Sequence, residues 1–126
     1  MPVRRSRRRY LAIYIEGARP SGPGELEELI FSSLLRLFGE VGASKALFKV
    51  IDYDGEEGLA IIRCGHEHMG LLRAALAAIT DVRGSPTALH VIDVSGTSKA
   101  LRKRLPSRLA DLRFIRHERS RGAGMR

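Results

Sequence analysis

Between residues 10 and 94 the spacing of apolar side chains alternates between the two-residue period of a strand and the roughly 3.6-residue period of a helix. YLAIYI (10–15) is rich in aromatic and β-branched residues and reads as a strand. Leu11, Ile13 and Ile15 lie on one face, and Tyr10, Ala12 and Tyr14 on the other. A glycine- and proline-rich stretch (17–24) follows, and Glu25, Glu27 and Glu28 stand where acids favour a helix start. Leu26, Leu29, Ile30, Ser33, Leu34, Leu37 and Phe38 then predict an amphipathic helix ending near Gly39 to Gly42. ALFKVIDY (46–53) and GLAIIRCG (58–65) flank Asp54-Gly55, a strong hairpin signal. Residues 67–79 predict a second helix buried through Met69, Leu72, Leu76 and Ile79. Residues 81–86 turn the chain into a fourth strand, 88–94. Ser95-Gly96-Thr97 leads from it into a short basic helix, 98–105, stopped by Pro106.

The order β-α-β-β-α-β predicts an α+β sandwich of the ferredoxin-like or RRM-like kind. It has two helices on one face of a four-stranded antiparallel sheet, plus an extra C-terminal helix. Right-handed crossovers place the first and third strands at the centre. The predicted organisation is a flexible basic arm (1–9), one α/β sandwich domain (10–105) and a basic C-terminal segment (106–126), partly helical or disordered. A chain of 126 residues, 44% hydrophobic, suits a single core.

Charge is segregated along the chain. Residues 1–10 carry five arginines and no acid; residues 11–98 carry 7 basic and 12 acidic side chains; residues 99–126 carry 10 basic and 2 acidic ones. A mildly acidic body with basic ends points to a polyanion, most naturally nucleic acid, because each cation that neutralises a phosphate releases a condensed counterion. Eighteen of the 22 basic residues are arginine, which forks onto phosphate and stacks on bases. No window approaches a membrane span, and the lone Cys64 excludes an internal disulfide framework and fits a reducing cytoplasm. The absence of Asn and Gln is a habit of thermophile proteins.

Ser95, Gly96 and Thr97, followed by Lys99, Arg102, Lys103 and Arg104, offer a hydroxylated helix start with basic residues behind it, suited to phosphate. An ordinary helix cap with a solvated basic face is the alternative. Tyr10 and Tyr14, on the face opposite the apolar triplet, are placed for stacking on bases, for cover by the C-terminal segment, or for a protein interface. The third strand lacks the aromatic motif of RNA-recognition domains and presents Arg63 instead. Cys64, His66 and His68 lose a common face at Gly65 and have no second ligand pair, so no metal site is expected. Asp52 to Glu57 reads as a turn rather than a calcium loop, and no catalytic constellation is visible.

Four stretches carry a family resemblance: RRRYLAIYIE (7–16), SSLLRLFGEVGASKA (32–46), EEGLAIIRCGHEHMGLLRAALAAI (56–79) and VIDVSGTSKALRKR (91–104). In them the chain resembles the ribonuclease P protein component 2 family, with Ser98 standing where many relatives are expected to carry an apolar residue. The resemblance implies a non-catalytic subunit that pairs with ribonuclease P protein component 3 and self-associates within a heterotetramer. It also implies that the assembly binds the ribonuclease P RNA and so acts on precursor tRNA only indirectly. The expected cofactor is magnesium on the RNA, with none bound by the protein. The residues expected at RNA are Arg4, Arg5, Arg7, Arg8, Arg9 and Arg63, with the Ser95–Arg104 group. A ferredoxin-like protein-interaction module with basic tails and a stand-alone nuclease are the rival readings.

Overall fold

The computed structural model describes residues 7–106. The elements run β1 (Arg8–Gly17), α1 (Pro23–Lys45), β2 (Phe48–Asp54), β3 (Leu59–Gly65), a 3-10 turn (His66–His68), α2 (Met69–Ala78), β4 (Asp81–Val82) and β5 (Ser85–Ser95). Residues 98–106 are helical and are called α3. The strands form one antiparallel sheet in the order β2-β3-β1-β5-β4. β1 and β3, the first and third strands of the chain, are therefore interior.

The sheet has five strands where four were expected. The added one comes from the 81–86 turn, which is itself a small hairpin. Arg83 and Gly84 both take positive φ (50° and 82°), the geometry of a two-residue hairpin loop, and Asp81 and Val82 pair with Pro86 and Ser85. β1 also starts earlier than Tyr10. Arg8 pairs with Gly65 and Arg9 with Cys64, while the His66 N–H donates to the Arg7 carbonyl at 2.6 Å. Arg8 and Arg9 thus belong to the sheet and not to a free arm, because their backbone groups are taken up by the end of β3. α1 is interrupted at Gly39 (φ 73°, ψ −178°), inside the stretch where it was expected to end, and resumes as far as Lys45.

One face of the sheet packs against α1 and α2. Leu11, Ile13, Ile15, Ala60 and Ile62 meet Leu26, Ile30 and Leu34 of α1, and Leu72, Ala75 and Leu76 of α2. Ser33 belongs to the buried stripe of α1 because its hydroxyl donates to the Ala75 carbonyl at 2.7 Å. Arg36 repeats that link with the Ala78 carbonyl at 3.1 Å. Leu37, expected in the same stripe, is 44% exposed, since no described element covers that turn of α1.

The other face is shaped by two β-bulges. On β2, Ile51 and Asp52 together oppose Ile61; on β5, Ile92 and Asp93 together oppose Ala12. Each bulge shifts the alternation by one residue, so that Tyr53 and Val94 rejoin the helix-side core. It also brings an isoleucine and an aspartate to the opposite side together. There α3 docks. Leu101 is fully buried with Ala12 and Ile61, and Ile51, Ile92, Tyr10 and Leu105 pack around them. The helix seats through Leu101 and Leu105, while Ser98 is half-buried.

Candidate nucleic-acid interface

The group 95–104 does not form one continuous basic patch. Arg102 pairs with Asp52 (2.7 Å), and Arg104 forks onto Asp93 (2.8 and 3.1 Å) while also donating to the Val94 carbonyl at 3.0 Å. The Asp93 carboxylate raises the pKa of Arg104. Both arginines thus serve to hold α3 on the bulged face. Lys99 and Lys103, one turn apart and opposite Leu101 and Leu105, are exposed. Thr97 behaves as an ordinary cap, its hydroxyl accepting from the Ala100 N–H at 3.2 Å, and Ser95 Oγ accepts from the Thr97 N–H at 3.3 Å. Gly96 is exposed at this turn.

The two tyrosines have different surroundings. Tyr14 is 5% exposed, with its ring edge-on to His90 (centroids 6.3 Å apart, planes at 68°), so it presents no open face for stacking. Tyr10 is half-buried in the cluster under α3. The docking of α3 on this face, absent from the expectation of an open sheet, is the physical reason for Tyr10.

Arg4 and Arg5 lie outside the described residues. Arg7 is exposed, and Arg9 is half-buried with its guanidinium donating to the Arg8 carbonyl at 3.0 Å. Arg8 and Arg63 line a groove of about 930 Å³ at the end of the sheet where β1 and β2 begin and β3 ends. Lys49, Leu47, Phe48 and His68 complete much of its wall. Lys49 was not singled out from the sequence; its signal was available in the hairpin register, which sets it directly opposite Arg63.

Cys64 is buried at 4% exposure, and burial pushes its thiol pKa up, with Arg9 opposing. Among the described residues no three His, Cys, Asp or Glu side chains gather as a metal site. In the 52–57 turn, Asp54 Oδ1 accepts from the Glu56 and Glu57 N–H groups at 3.0 and 3.1 Å. Arg19 donates to the Gly55 and Glu56 carbonyls at 2.8 and 2.5 Å, which fixes the segment as a structural turn. No helix among the described residues is long and apolar enough to cross a membrane.

These features define an α+β domain whose five-stranded antiparallel sheet carries two helices on one side and a third seated on the other. A chain of the cryo-EM structure of yeast ribonuclease MRP is similar in fold, with a TM-score of 0.58 at 14% identity, covering 89% of this chain and 98% of that one. The model of the Rpp14/Pop5 family matches residues 9–106, and the chain belongs to that family. Among its relatives is the ribonuclease P protein component 2 of Methanosarcina acetivorans, 36% identical over 99 residues, covering 79% of this chain and 74% of that protein. Those of Pyrococcus abyssi and Pyrococcus furiosus are 35% and 31% identical over 106 residues, with 84% of this chain matched and 90% and 88% of theirs.

Proposed function

We propose that this chain is a non-catalytic protein subunit of ribonuclease P. With a second protein, component 3, it binds and supports the catalytic RNA during removal of the 5′ leader from precursor tRNA. The observation that carries this reading is the colinear match to ribonuclease P protein component 2 chains over most of their length and most of this one. The charge pattern supports it independently. Folding an RNA active site crowds phosphates together, and the arginine-rich ends of the chain offset part of that repulsion. Magnesium is then carried by the RNA. We further assign the β1-α1-β2-β3-α2-β5 core to the ferredoxin-like class, supported by its antiparallel pairing and its interior first and third strands.

Phe31, Leu37 and Val41 of α1, and Leu47 after it, remain 44–74% exposed, which suits a protein partner on the helical layer or at its edge. Sedimentation of the chain with component 3 and the ribonuclease P RNA tests the assembly. A single ternary species that loses this chain when component 3 is omitted supports the paired reading. Failure to enter any complex with either partner would remove it.

A further inference from the structure

The groove at the end of the sheet contains an arrangement that folding alone disfavours. Lys49 and Arg63 are directly opposed across β2 and β3, a position where like charges destabilise a sheet. Arg8 lies on the far side of β3, paired at Gly65, two residues beyond Arg63 and on the same face. Three neighbouring strands, about 4.8 Å apart, therefore each contribute one cation to one wall. No described acid pairs with any of the three within ion-pair distance. By contrast, Arg83, Arg102 and Arg104 each have a carboxylate and Arg19 and Arg36 have carbonyls. Glu67, the only acid among the described lining residues, lies 3.6 Å from the imidazole of His68. Arg8 and Lys49 are exposed and Arg63 is half-buried, so the heads are open to a ligand while the stem of Arg63 is held.

From this convergence we infer that the groove of Arg8, Lys49 and Arg63 is a seat for the phosphodiester backbone of an RNA strand. The inference rests on the proposed role in ribonuclease P and locates the RNA contact on the rigid domain. Arg7, exposed just before β1, adds a further cation at the same end, where its carbonyl accepts from the His66 N–H. A polyanion relieves the Lys49–Arg63 repulsion, which makes the opposed pair favourable in the complex although it costs stability in the free chain.

The test uses the full chain with component 3 and transcribed ribonuclease P RNA, with affinity measured between about 0.05 and 0.4 M salt. Lys49→Gln/Arg63→Gln is compared with a charge-matched pair on the helical layer, Arg36→Gln/Arg73→Gln, and circular dichroism checks that both fold. Loss of two phosphate contacts should weaken binding about tenfold or more and flatten the salt slope by about 1.4 to 1.8, while the helical pair changes it little. The swap Lys49→Arg/Arg63→Lys keeps both charges and should restore the slope. Equal losses for the two double variants would show that binding reads total charge and would overturn the assignment. Retained RNA affinity with loss of component 3 would overturn it in favour of a protein-binding groove. If the unaltered chain binds no RNA at any salt, with component 3 present or absent, the functional reading beneath the inference fails as well.

Discussion

Glu25 stands where three segments that are distant in the chain meet. Its carboxylate accepts from the Ser21 N–H (3.2 Å) and the Ser21 hydroxyl (3.3 Å) and pairs with Arg83 of the β4–β5 turn. Arg83 also reaches the Arg19 carbonyl at 3.3 Å, and the Tyr53 hydroxyl donates to the Pro20 carbonyl at 2.5 Å. The glycine- and proline-rich loop is thereby fixed by polar contacts rather than by apolar packing. Partial burial pushes the Glu25 carboxyl up, but Arg83 and Ser21 outweigh it and leave the pKa below its ordinary 4.5. A lowered folded-state pKa means that this contribution to stability is present above the ordinary value and is lost as pH falls through the folded value. Glu25→Gln should therefore lower the thermal midpoint at neutral pH. Its difference from the unaltered chain should shrink as the pH is taken down from about 5 to 3. A difference that stays constant over that range would mean that the ionised carboxylate contributes nothing there.

α3 illustrates how much of an element can be read from sequence. Its position and length were legible from the SGT turn and the basic residues that follow it, and Leu101 and Leu105 already mark one helical face. Its docking site was not legible, because the seat is made by bulges and simple alternation has no term for an extra residue. In retrospect the tripeptide Val-Ile-Asp occurs twice, at 50–52 and 91–93, and each copy is a bulge that turns Ile and Asp toward α3. The apolar part of the seat outweighs the ionic part, since exposed ion pairs contribute little net stability. Leu101→Ala should cost about 2–5 kcal/mol in denaturant unfolding, or release α3 while the rest of the domain keeps its transition. Arg104→Ala should cost less. A neutral Leu101→Ala variant that keeps α3 in place would contradict this account of the docking.

Across the whole domain, the two faces and the sheet end are put to different uses. The helical layer closes the main core, the bulged face is occupied by α3, and the unpaired cations of β1, β2 and β3 collect at one end of the sheet. The strand-helix succession was legible because each element keeps one period over several residues. The fifth strand escaped because two residues are too few to show a period, although Arg83-Gly84 carried its turn signal. The candidate site was legible only residue by residue. Arg8 and Arg63 were recognisable as cations, whereas their meeting with Lys49 depends on strand register, and the apparent patch at 99–104 was divided by two aspartates that lie far from it in sequence.

The most direct measurement is precursor-tRNA 5′ cleavage by the cognate ribonuclease P RNA at limiting magnesium, with component 3 alone and with component 3 plus this chain. Cleavage is expected to require this chain, or to rise strongly when it is added. If cleavage is unchanged under conditions where the chain is folded and bound to component 3, the assignment as a supporting subunit is contradicted.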